Sequence, residues 1–294
     1  MSYDAQKVTY QEVAIFDRPA LFTECRIDRT TVPEGVYRYE LRHGDEDWGD
    51  EIELLLNIVK DIMDNLFHKS ACEDVYVEYS EYGPMVVLGR YINKKCYNIL
   101  LSATSSYWAQ FIYQFSHEYC HILIGTEKTF PHCVAGNYYF MWLEEALCEL
   151  ASLVTLQYTY WMWKYKCKFD KGNYMPCLEK YFVNRLSLVP EYGDFRTWLA
   201  DNYKVLSRDY IREYQGNIRV DESVRLRGAV VAHALLPLSL HPKFWVLIGK
   251  LEELQPFLGN DKICMLLQAL SVVVEEDPAL VHCLKGIQDI LTTT

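Results

Sequence analysis

Two histidines stand four residues apart in FSHEYCHILIG, residues 115–125, and a glutamate directly follows the first. On a helix, that spacing stacks the imidazoles of His117 and His121 one turn apart on a single face. Both can then reach one ion at about 2.0–2.1 Å, the usual Zn–N distance. With about 3.6 residues per turn, Glu118 points ~100° away from His117. The offset keeps its carboxylate off the metal and beside a water activated there, where it can act as general base. The pattern predicts one Zn2+ ion, His117 and His121 as ligands, and Glu118 as the catalytic residue.

A catalytic zinc site takes a third protein ligand as well. MWLEEALCELAS offers Glu144, Glu145 and Glu149 on a tryptophan- and leucine-rich segment. Carboxylates there are costly to bury unpaired, and a metal accounts for them. Glu145 and Glu149 are i, i+4 and face one way. The reading takes Glu145 as third ligand, with Glu144 as the alternative, and Glu149 as a carboxylate orienting a ligand histidine. Cys120 and Cys148 read as small buried thiols, and the loop pair His132 and Cys133 as alternative ligands. Hydrolysis also calls for a group that stabilises an oxyanion. Tyr138, Tyr139, Arg225, Arg227 and His233 are the candidates, although a histidine within VVAHALLPL also suits a core position. The aromatic run TYWMWKY is read as core packing.

The elements that must hold these groups are legible from periodicity. Residues 52–67 carry apolar side chains at helical spacing. Strands are expected at 74–79, 85–88 and 97–101, with a turn at Tyr82-Gly83-Pro84. A helix over 105–123 carries the histidines, with Ser105 or Ser106 as its cap and Gly125 as its stop. A loop over 126–140 leads to a helix over 141–164. Further helices are expected near 175–187, 194–214, 222–236, 242–254 and 260–275. The first 47 residues read as short strands, IFDRPALFTECRIDR and GVYRYELRH, about a turn at residues 32–35. The fold class is therefore α+β: a small antiparallel or mixed sheet with a predominantly helical bulk.

The chain has 294 residues, half of them hydrophobic, which describes a globular protein. Its formal net charge of −11 argues against a nucleic-acid partner. Residues 1–53 hold 13 acidic and 6 basic side chains, a balance of −7, and so form an acidic segment distinct from the rest. The domain reading is a small strand-rich acidic segment, 1–50, and a second unit, 51–294. MSYDAQKVTYQEV lacks the apolar core of a signal peptide. No apolar run reaches the ~18 residues of a membrane span, so no membrane partner is expected. Ten cysteines without a C-x-x-C pair are expected as thiols in a cytoplasm.

H-E-x-x-H followed some tens of residues later by a helical glutamate resembles the gluzincin metallopeptidases. WLEEA, residues 142–146, is similar to the W-L-N-E-G stretch of the aminopeptidase-type branch, whose glutamate is the third zinc ligand. That register favours Glu145 over Glu144. The small ImmA/IrrE-type peptidases are a second likeness. Glu144 stands where the aminopeptidases have Asn, and no G-x-M-E-N motif is present, so exopeptidase activity is not implied. The resemblance implies a zincin-like fold. It also implies that an edge strand pairs with an extended peptide substrate, a role that falls on Asn98, Ile99, Leu100, Leu101 and Ser102. Separately, residues 18–50 resemble the start of a domain attached to large polyvalent proteins of mobile elements, ending near Asp50. This implies a bacterial mobile-element context and a protein partner held through residues 1–50. The function expected is zinc-dependent peptide-bond hydrolysis. The alternatives are an inactive zincin scaffold that serves as an interaction protein, and a metal-dependent amidase acting on a non-protein substrate.

Overall fold

Valine and tyrosine alternating with polar residues make the strands β1 (Val36–Glu40), β2 (Asp74–Tyr79), β3 (Met85–Tyr91) and β4 (Lys94–Leu101). The computed structural model describes residues 36–40, 49–91, 94–104, 106–125, 140–165, 174–214, 222–241, 243–257 and 262–292. The expected strand at residues 15–29, the turn at 32–35 and the loop residues 126–139 lie outside them. Together the strands form one mixed sheet in the order β1-β2-β4-β3. β1, β2 and β4 are parallel, and β3 runs antiparallel to β4. The parallel pairing of β1 with β2 needs a crossover, which helix α1 (Gly49–Phe67) supplies.

The assignment of a sheet edge to Asn98, Ile99, Leu100, Leu101 and Ser102 is overturned. β4 is flanked on both sides, with Ile99 opposite Val77 in β2 and opposite Val86 in β3. Three consecutive apolar residues, Ile99, Leu100 and Leu101, suit an interior strand with both faces covered. The outer antiparallel strand is β3. Ser102 lies just past the end of β4, where its backbone N–H donates to Gln114.

Helix α1 buries Ile52, Leu55, Leu56, Val59, Ile62, Met63 and Leu66, the i, i+3, i+4 stripe that its sequence prescribes. It packs against α2 (Trp108–Ile124) and α3 (Met141–Tyr165). α3 runs through the middle of the core, apolar on almost every side, and Trp161, Met162 and Trp163 are buried there as expected. Its polar side chains bond locally or across the interface: Ser152 Oγ donates to Tyr113 O at 2.9 Å, and Thr159 Oγ1 to Thr155 O at 2.8 Å. No described helix is long and apolar enough to cross a membrane.

α4 (Met175–Ser187), α5 (Phe195–Tyr214), α6 (Glu222–Ser239), α7 (Phe244–Gly249), α8 (Ile263–Val273) and α9 (Pro278–Leu291) complete the helical bulk. The helix expected over 242–254 breaks at Gly249, whose carbonyl accepts from Lys69 Nζ at 3.0 Å, and continues as a 3-10 segment, Lys250–Phe257. α9 went unread in the sequence although its signal is there. Asp277 Oδ1 caps Ala279 N at 2.9 Å, and Pro278 takes the first turn.

The histidine helix is positioned at both ends. Tyr107, not a serine, is its N-cap residue, and it makes no side-chain cap bond. The Tyr174 hydroxyl, from just before α4, accepts from Ala109 N at 2.8 Å in place of a local cap. At the other end, Gly125 is left-handed at φ +84° and its N–H closes onto His121 O and Ile122 O, both at 3.1 Å. A methyl group built there falls 2.9 Å from Glu252 Cγ. Gly193 shares a positive φ, +61°, but a methyl there meets nothing within 4 Å. In urea denaturation, Gly193→Ala should cost roughly 1–2 kcal/mol from backbone strain alone. Gly125→Ala should cost more; equal costs would mean that Glu252 yields freely.

Candidate metal centre

The strand-to-helix connection is fixed by one side chain. Gln114 Oε1 accepts from the N–H groups of Ser102 and Ala103, both at 3.0 Å, and its Nε2 donates to Ser102 Oγ at 2.9 Å. One turn further along α2 stands His117, and a turn beyond that His121. Their ring centroids are 5.2 Å apart. α3 packs across the same face of α2 and delivers Glu145 between them. Its Oε2 lies 3.3 Å from His117 Nε2 and its Oε1 3.6 Å from His121 Nε2.

Glu144 takes the other side of His121, with Oε1 2.5 Å from Nδ1. The two adjacent glutamates therefore grip opposite nitrogens of one ring. Glu145 is on the solvent side, its side chain 31 % exposed, and Glu144 lies underneath at 2 %. Glu118 is buried beside both imidazoles, and the backbone N–H of Val86 in β3 is near enough to its carboxylate to favour the charged form. The outer strand thus passes directly by the predicted base.

Three carboxylates and two imidazoles share a small, partly buried volume, and their charges act on one another. Burial alone would make the His121 ring harder to protonate, but Glu145, Glu144 and Glu118 outweigh it and raise its pKa to about 10. His117 moves the same way, burial being outweighed by its bond to Glu145 and by Glu118. Burial would raise Glu145, yet His121, His117 and Arg225 hold it down at about 2. For Glu118 burial wins: its pKa is raised despite the histidines and the Val86 N–H, as suits a proton acceptor.

The residues present suit a zinc ion. Donors on a tetrahedral centre with bonds of about 2.0–2.1 Å stand roughly 3.3 Å apart. The 3.3 and 3.6 Å separations of the Glu145 oxygens from the two Nε2 atoms are of that size. The second nitrogen of His121 already meets a carboxylate, which is how ligand histidines are usually oriented. Cys148, read from the sequence as packing, is fully buried, and it offers a sulfur within 4.8 Å of the donor atoms of both histidines. Its i+3 relation to Glu145 was the available signal.

Other expected participants lie elsewhere. Glu149 does not orient a histidine. It accepts a short bond from the Tyr113 hydroxyl and pairs with Arg185 Nη2 at 3.2 Å, while the guanidinium lies over the Tyr113 ring, 4.6 Å from its centroid. The extra helical turn from Glu145 to Glu149 carries the carboxylate past His117 to the residue a turn before it. His233 is bonded through Nδ1 to the Tyr192 hydroxyl at 2.7 Å. It lies eight residues along α6 from Arg225, or ~12 Å. Of the α6 cations named from the sequence, Arg225 carries a charge that acts on Glu145, and Arg227 lies two residues further along the helix. Tyr138, Tyr139, His132 and Cys133 lie outside the described residues.

The metal-free protein should carry a pH signature. A raised histidine contributes stability that is complete below its ordinary pKa of 6.5 and fades as pH climbs through about 10. A depressed carboxylate contributes stability that is complete above its ordinary 4.5 and is lost as pH falls through about 2. In the presence of chelator, the stability gap between the parent and His121→Gln should be widest between pH 4.5 and 6.5 and shrink towards pH 10. A gap unchanged from pH 6 to 10 would show that His121 is not held as the imidazolium.

Residues 6–74 match the family model described as Large polyvalent protein associated domain 28. The match runs through β1 and α1 to the first residue of β2, past Asp50, where the sequence resemblance was expected to stop. Helix α1 continues the segment there. Comparison with curated proteins and with solved structures returns no match.

Proposed function

We propose that the chain is a zinc-dependent peptidase of zincin type, with His117, His121 and Glu145 as the metal ligands and Glu118 as general base. The observation that carries this reading is the approach of one carboxylate to two imidazoles across two helices, at 3.3 and 3.6 Å, with a second buried carboxylate alongside. Zinc, when bound, supplies Lewis acidity towards water and towards a substrate carbonyl. Glu118 takes the proton of the attacking water, and its raised pKa suits it to pass that proton to the departing amine. Glu144 holds the His121 ring by its Nδ1, leaving Nε2 for the metal.

The peptide-pairing role passes from β4 to β3, the outer strand. A peptide laid along β3 in an extended form runs past Glu118, because the Val86 N–H lies near that carboxylate. Arg225 brings a cation to the same side as Glu145 and is the α6 residue to test for a role with the substrate.

Metal analysis of the purified protein should find one zinc, and generic peptides should be cleaved without chelator and not with it. Glu118→Gln should retain the zinc and lose about 10²–10⁴-fold in kcat. If the variant keeps the parent rate, Glu118 is not the base; if the parent binds zinc but cleaves no peptide, the chain is a metal-bearing scaffold or acts on another amide. Two further variants separate the glutamates. Glu144→Ala should weaken zinc binding about 10–100-fold. Glu149→Ala should leave zinc affinity unchanged and lower Tm, since it strips Arg185 and Tyr113 of their partner. The reverse pattern would restore Glu149 to the histidines.

A further inference from the structure

Cys148 lies one turn beyond Glu145 on α3 and faces the same histidines. Its side chain is fully buried at the α2–α3 interface, near the Cys120 thiol, which itself donates to Leu147 O at 4.0 Å. His117, His121 and Cys148 each present a ligand atom, and these atoms all lie within 4.8 Å of one another. Glu145 approaches the two rings from the solvent side. Sulfur below and carboxylate above bracket the imidazole pair.

We propose that Cys148 is a further protein ligand of the same metal ion, binding as a thiolate from the floor of the site. The inference rests on the metal centre proposed above and adds a donor to it. Donors at about 2.0 Å for nitrogen and 2.3 Å for sulfur stand roughly 3.5 Å apart on a tetrahedral ion. The three atoms lie within 4.8 Å of one another, so no pair is more than about 1.3 Å beyond that spacing. On binding, the S–H bond gives way to an S–metal bond and one proton leaves to solvent.

Two consequences follow from the chemistry of the donor set. Two imidazoles, a carboxylate and a thiolate favour zinc and its borderline neighbours over magnesium or calcium, which prefer oxygen throughout. Four protein donors also fill a tetrahedral shell, the arrangement of a closed site. The resting centre would then admit a substrate only by expanding its coordination or by releasing one donor.

X-ray absorption at the zinc edge of the zinc-loaded full chain tests this without reference to turnover. The parent should show a sulfur shell at about 2.3 Å. Cys148→Ala should lose that shell and Cys120→Ala should keep it. The cobalt-substituted protein should show a thiolate-to-cobalt charge-transfer band in the near ultraviolet with the same dependence on Cys148. Zinc bound through nitrogen and oxygen alone in the parent overturns the thiolate and leaves the His117, His121 and Glu145 centre standing. A sulfur shell that survives in Cys148→Ala also overturns it. A parent that binds no zinc overturns both. The parent spectrum decides the question even if an alanine variant fails to fold.

Discussion

The packing of α3 across α2 puts the Glu145 carboxylate against two imidazoles in a partly buried cluster, and the chemistry proposed for the site depends on that contact. Charges so close in a low-dielectric interior interact far more strongly than at the surface, and they cannot all be ionised without compensation. In the metal-free protein, protonation is the available compensation: the neighbouring carboxylates raise the pKa of both histidines above the ordinary value. A divalent cation is the other solution. It replaces the imidazolium protons while keeping the carboxylates ionised, so metal binding and proton release are linked.

Much of the remaining architecture keeps those two helices in register. Gln114 ties the start of α2 to the end of β4. Ser152 bridges Tyr113 O and Cys148 O across the helix pair. The Tyr113, Glu149 and Arg185 cluster forms a second polar contact between α2, α3 and α4, one turn from the His117 and Glu145 pair. On the opposite face of α2, the Tyr119 hydroxyl donates to Asp64 in α1 at 2.6 Å. Each contact spans two elements, so each resists sliding of one helix past the other by even a fraction of a turn. Such a slide would part Glu145 from the imidazoles.

The sheet contributes through its order more than its size. Because β4 enters between β2 and β3, the hairpin partner β3 becomes the outer strand and brings Val86 to Glu118. The segment matched by the polyvalent-protein family supplies β1 and the crossover α1, so it shares the sheet and the core of the larger unit.

The sequence by itself determined what local periodicity and short-range chemistry can carry. His117, Glu118 and His121 share one helix, and residue type with i, i+4 spacing defines their relation without any distant contact. The helical stripe of α1, the Gly125 stop, the α+β class and the position of Glu145 on the second helix were legible for the same reason. Tertiary structure decided the rest. Which glutamate meets which nitrogen depends on the rotation of α3 about its axis, where each residue turns the side chain by ~100°. That rotation assigned Glu144 to His121 Nδ1, sent Glu149 to Arg185, and brought the Cys148 sulfur under the rings. Strand order likewise depends on pairing between segments distant in sequence, and so the outer strand proved to be β3 and not β4.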